Sequence, residues 1–155
     1  MSLKEELEAE QVTHLDLSGY CQTERKTAVK EVLALMRQNR ASVCLVLEGG
    51  ELAGIFTERD VMRKVALRPE LLGEPVEAVM TPRPITISGR SSAAEALRLM
   101  HEKHIRNLPV VDENGRVAGD MTHRSIIQYL AARYPVEVLN RPPRPAQFPR
   151  KVEGG

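Results

Sequence analysis

Apolar positions along this chain follow one pattern written twice. From Thr27, the run TAVKEVLALMRQNRASVCLVLEGGELAGIFTERDVMRKV sets Val29, Val32, Leu33 and Met36 on one helical stripe, then an unbroken apolar stretch from Val43 to Leu47. From Ser91, the run SSAAEALRLMHEKHIRNLPVVDENGRVAGDMTHRSIIQYL repeats it, with Ala96, Leu97, Met100 and Ile105 on the stripe. Met36 recurs as Met100 and Thr57 as Thr122, the second copy having gained one residue in its turn. Each copy is a supersecondary unit too small to bury its apolar face alone, so the copies are expected to pack against each other.

The elements follow from local chemistry. In the second copy, Pro84–Ile87 reads as a strand, and Ser92-Ala-Ala-Glu95 as a capping box opening a helix. Leu108–Val111 and Val117–Met121 form a hairpin around Asp112-Glu-Asn-Gly115, and Thr122 starts the next helix. The order is β-α-β-β-α. The first copy matches it with helix Thr27–Gln38, strands Ser42–Leu47 and Leu52–Phe56, and helix Thr57–Val65. Its opening strand is either Leu15–Leu17 or Tyr20–Thr23. Leu3 and Leu7, four apart among charges, predict a short amphipathic helix. The expected division is an N-terminal helical segment (1–11), a first repeat (12–66), an ordered connector (67–84) carrying Val76, Val79 and Met80, a second repeat (85–134) and a basic proline-rich tail (135–155).

Composition narrows the function classes. A net charge of +1 over 155 residues provides no field to draw in nucleic acid or membrane, and 3% aromatics with no Trp disfavours a base-stacking platform. No apolar run reaches a membrane span and no apolar leader opens the chain, so a cytoplasmic location is expected. Cys44 reads as a core residue, Cys21 sits in a polar stretch, and a disulfide is disfavoured in a reducing compartment. No Cys or His pairs recur at ligand spacing, so no metal is expected. His101 and His104 read as helix-end residues, and the tail's Arg141, Arg144, Arg150 and Lys151 as a solvated segment. No nucleophile–base pair appears, and the chain is not expected to be an enzyme.

Leu-Pro-Val-Val-Asp (Leu108–Asp112), Val-Met-Thr-Pro-Arg-Pro-Ile (Val79–Ile85) and the duplicated Gly-φ-φ-Thr-x-x-Asp/Ser resemble a tandem pair of cystathionine β-synthase-type (CBS) domains, a Bateman module, over roughly residues 12–134. The resemblance implies an α+β fold of two β-α-β-β-α repeats in a pseudo-two-fold pair, with adenine nucleotides in the clefts between them. It also implies further association into a homodimer through the helices, and a regulatory rather than catalytic role.

Such a ligand needs an apolar slot for the base, acceptors for the ribose and cations or N–H groups for phosphate. Gly54 permits close approach of a backbone or a ligand, and Thr57 caps the helix where N–H groups point outward. The resemblance makes Asp60 the ribose acceptor and Ile55 the base contact. Thr57-x-x-Asp60 is equally a capping box, and both roles can coexist. The resemblance also implies phosphate ligands from the other copy, at Arg106, Asn107 and Arg124, which with Arg59 and Ser42 from the first complete the expected main cleft and set the guanidinium groups near one phosphate path. The second cleft receives Thr81, Ile85, Val43, Asp120, Thr122 and Ser125. Here Ser125 replaces the aspartate, Asp120 replaces an apolar residue and no cation is present, so this cleft is expected to be impaired. The expected ligand is AMP, ADP, ATP or S-adenosylmethionine, signalling to an unidentified partner protein by reorientation of the repeats. A dimerisation or docking module with vestigial clefts is the alternative.

Overall fold

A computed structural model describes residues 2–134, and the basic tail lies outside the described residues. The chain opens with α1 (Leu3–Ala9), capped reciprocally by Ser2 and Glu5. The first copy then runs β1 (Cys21–Glu24), α2 (Val29–Asn39), β2 (Val43–Glu48), β3 (Glu51–Thr57) and the short α3 (Glu58–Asp60). The connector contributes two 3-10 turns and a two-residue strand, β4 (Thr81–Pro82). The second copy supplies β5 (Ile87–Ser88), α4 (Ala93–Lys103), β6 (Asn107–Val111), β7 (Val117–Thr122) and α5 (His123–Arg133).

Two sheets result, ordered β1-β2-β3-β4 and β5-β6-β7. In each, the leading strand lies parallel to the next across a helix, and a hairpin follows. Of the two candidates for the opening strand, the later forms it: Cys21 pairs with Cys44 and Thr23 with Val46. Cys21 is therefore core rather than part of a polar stretch, and both free thiols are buried. Its thiol neighbour Cys21, through a hydrogen bond, and then burial push the Cys44 thiol well above the ordinary cysteine range. The expected strand Pro84–Ile87 shrinks to Ile87–Ser88, and Ser92 accepts from the Glu95 N–H without the reciprocal half of the box. The helix expected over Thr57–Val65 changes winding: three α-helical residues pass into a π-helical stretch, Val61–Val65.

Alternation along the strands separates two faces. One face of the first sheet packs Cys44, Val46 and Phe56 against Val29, Val32 and Met36 of α2. The second repeats this with Leu108, Val110 and Met121 against Ala93, Ala96 and Met100 of α4. Between the sheets lies a smaller apolar cluster of Val43, Leu45 and Ile55, touched by Tyr20, Leu52 and Val117.

The segment preceding each copy packs on the other copy. Val76 and Val79 enter the first core, and the Val76 N–H donates to Thr27 O (2.8 Å). Val12 and Leu15, placed with the first repeat by sequence order, enter the second core instead, where the Val12 N–H donates to Ser91 O (2.8 Å). Burying two such side chains contributes roughly 3–5 kcal/mol. Glycines make room for these segments, since a Cβ on Gly54 would collide with Met80 and one on Gly119 with Leu17.

Candidate functional site

Both copies and the connector converge on a cleft of about 420 Å³, within the range of small-molecule sites. The first copy lines it with Ser42, Ile55, Thr57, Glu58, Arg59 and Asp60. The connector adds Thr81 and Pro84, and the second copy Ile85, His104, Ile105, Arg106, Asn107, Thr122, His123 and Arg124. The carboxylate of the earlier half and the guanidinium groups of the later half thus border one hollow.

Local chemistry places Asp60. The Thr57 N–H (3.0 Å) and hydroxyl (3.3 Å) donate to Asp60 Oδ2, while the Asp60 N–H donates to Thr57 Oγ1 (3.3 Å). The Glu58 N–H donates to Ser42 O (3.1 Å), tying the helix start to the head of β2. Lys64, one turn on, meets Asp60 Oδ1 at 3.2 Å and donates to Val79 O at 2.7 Å. Asp60 is 8% exposed, and the cap and Lys64 take three of the roughly four acceptor positions of a carboxylate. The capping role read from the sequence is therefore present, and the same side chain also faces the cleft.

The cations differ in freedom. Arg59 and Arg106 are exposed and form no ion pair among the described residues, whereas Arg124 is steered. With the Gln128 amide oriented to satisfy both its ends, its Nε2 donates to the Asp16 carboxylate and its Oε1 accepts from Arg124 Nε (3.2 Å). Hydrogen bonds from Ser18, with a smaller contribution from Arg124, hold the Asp16 carboxyl below the usual carboxylate range.

Of the residues expected in the main cleft, only Gly54 lies elsewhere, because its missing side chain admits Met80 rather than a ligand. The residues expected in a second cleft divide. Thr81, Ile85 and Thr122 line the first cleft instead. Val43 is fully buried between the sheets, and Asp120 is 1% exposed. Ser125 is also buried: its hydroxyl donates to Asp16 O (2.7 Å) and accepts the Thr122 N–H (3.1 Å), leaving little for a ribose. At Ser125 and Asp120 the cause is the exchanged segment Asp16–Leu17, which occupies the ground beside β7, where the Asp120 N–H donates to Leu17 O (3.0 Å).

Sequence reasoning did not place His104, Ile105, His123, Pro84 or Glu58 in the cleft. His104 ends α4 in the left-handed conformation (φ 54°), as a helix-end residue does, and that conformation also brings it to the rim. A signal was available, since His104-Ile105 precede Arg106 and His123 precedes Arg124. Among the described residues, no group of three or more His, Cys, Asp or Glu could hold a metal ion, and no helix is long and apolar enough to cross a membrane.

Known proteins share this fold. A family profile described as "CBS domain" matches residues 24–67 and 76–132. An uncharacterized protein of Methanopyrus kandleri is 36% identical over 111 residues, 69% of this chain and 57% of that protein. The cytosolic domain of the Mg2+ channel MgtE, solved in complex with ATP, aligns with a TM-score of 0.66 at 25% identity, covering 82% of this chain and 51% of that one. A CBS domain protein of Pyrobaculum aerophilum complexed with AMP aligns with a TM-score of 0.68 at 24% identity, covering 79% of this chain and 98% of that one. The chain spans 57%, 17% and 28% of the length of three curated relatives it matches.

Proposed function

Because the chain belongs to the CBS domain family, as a tandem pair, we propose that it is a ligand-sensing module that binds an adenine nucleotide in the cleft between its copies. Asp60 accepts hydrogen bonds from the ribose, Ile55, Pro84 and Ile85 flank the base, and Arg59, Arg106 and Arg124 provide the phosphate path. One observation carries this reading: a single hollow gathers an acceptor carboxylate, an apolar wall and three guanidinium groups drawn from both copies. The nucleotide complexes of the MgtE domain and the Pyrobaculum protein support the choice of ligand class. A ligand touching both copies favours one relative orientation and so shifts the population that a partner protein reads. The groups present bind rather than transform, so the proposed role is regulatory.

Titration calorimetry with AMP, ADP, ATP and S-adenosylmethionine tests it. Binding by at least one of them, weakened about tenfold or more in Asp60→Ala, is expected, each hydrogen bond to a charged group contributing about 1.5–3 kcal/mol. No binding by any of the four refutes the reading.

A second reading, a dimerisation surface, is favoured by Met62 (70% exposed) and Ile127 (64% exposed) on the helices that follow Thr57 and Thr122. If it holds, Met62→Glu with Ile127→Glu halves the mass measured by light scattering.

A further inference from the structure

The two copies differ most sharply where their sheets face each other. In the first, Val43, Leu45 and Ile55 form an apolar surface. The second copy has Asn107, Pro109 and Asp120 at the corresponding strand positions, with Pro109 opposite Asp120. Met121 enters the helix-side core, so its neighbour Asp120 points to the inter-sheet face. Asp120 is 1% exposed, and its Oδ1 is the one buried side-chain oxygen or nitrogen without a hydrogen-bond partner among the described residues. Its other oxygen accepts from Asn107 Nδ2 at 3.0 Å. Asn107 lines the cleft and Asp120 does not.

We propose that Asp120 is a positioning residue that sets the selectivity of the cleft by fixing which end of the Asn107 amide the ligand meets. A carboxylate only accepts, so it claims an Asn107 N–H and leaves the Asn107 carbonyl oxygen turned toward the hollow. That oxygen welcomes a donor from the ligand and disfavours a phosphate oxygen. On the nucleotide reading, from which this follows, Asn107 then meets the nucleoside part, and phosphate falls to Arg59, Arg106 and Arg124. A neutral group at position 120 can donate as well as accept, which lets the amide turn and present its NH2 to an anion. Titratable groups on the segments beside Asp120 are Asp16, next to the Leu17 carbonyl that takes the Asp120 N–H, and Arg106, next to Asn107. His123 and Arg124 follow on its own strand's exit. None of them acts on its proton affinity: burial raises the carboxyl to about 7 and the Asn107 hydrogen bond partly opposes this.

The test compares AMP with adenosine by calorimetry at pH 8, using the full chain and Asp120→Asn. The AMP-to-adenosine affinity ratio is expected to rise about tenfold in the variant, the scale of one hydrogen bond to a charged group. A merely structural role would move both affinities together, so an unchanged ratio with both ligands bound overturns the proposal alone. Failure of the wild type to bind either ligand overturns this proposal, and the nucleotide reading falls with it only if ADP, ATP and S-adenosylmethionine fail to bind as well. Should Asp120→Asn not fold, the ligand-free wild type decides. Its 15N-labelled Asn107 side-chain NH2 is expected to exchange slowly with solvent at pH 8 because Asp120 holds it, and exchange at the rate of an exposed asparagine overturns the proposal.

Discussion

Replacing Asp120 by asparagine keeps the shape of the side chain and removes its ability to ionise, which isolates the energetic effect of a buried carboxyl. The folded protein holds this group's pKa at about 7, against 3.8 for a free aspartate, because burial disfavours its charged form. The sign follows from linkage: with a raised folded value, the folded state binds more protons than the unfolded chain between these two pH values. Stability from this group is therefore greatest below about pH 4, falls as pH rises toward 7 and is level above. The full difference is on the order of 4 kcal/mol, of which roughly 2–3 kcal/mol falls between pH 5 and pH 8. Urea unfolding of wild type and Asp120→Asn across that interval measures it. Taking the difference between the two proteins cancels every other titrating group. The variant is expected to gain roughly 2–3 kcal/mol on the wild type from pH 5 to pH 8, or about 5–10 °C in melting temperature. Parallel stability curves for the two proteins would refute the reasoning, since they would mean that the carboxyl is solvated or already charged in the fold.

Three further outcomes test other parts of the structure. Gly54→Ala forces a methyl group against Met80 and is expected to cost about 1–3 kcal/mol, with Met80→Ala restoring part of it in a melting experiment. Val12→Ala, at a fully buried position, should cost about 1–3 kcal/mol, and hydrogen exchange should quicken in α4 and β6 rather than in the copy next to it in sequence. Asp60→Ala removes the acceptor of the Thr57 N–H as well as a cleft carboxylate, so unfolding should show a loss of about 0.5–2 kcal/mol alongside the loss of ligand.

The repeat, both hairpins and the caps at Thr57 and Thr122 could be read from sequence because each rests on local chemistry: a 3.6-residue stripe, an Asp-Glu-Asn-Gly turn, a hydroxyl three residues before its partner. β1 remained ambiguous because Leu15–Leu17 and Tyr20–Thr23 are both short apolar–polar stretches, and only pairing with Cys44 and Val46 separates them. The exchange of leading segments has no local signature. It places Leu17 against Gly119 and engages the Ser125 hydroxyl, so that this residue of the second expected set has little left for a ligand. The residues that the family resemblance pointed to for the main cleft border one hollow because the Thr57–Asp60 and Arg106–Asn107 segments each lie at a strand end. Asp120 stood out in the sequence as a charged residue at an apolar position. Its partnership with Asn107 became visible only once β6 and β7 were paired in register.

The crossed straps have a consequence for the integrity of the chain. Severing it near Pro69 would give two fragments, each carrying the strap its counterpart needs and lacking its own. Either alone would expose the apolar groove meant for Val12 or Val76, whereas mixing them would restore both. The halves are mutual templates, and a twist imposed on one is transmitted to the other through the segments that cross between them.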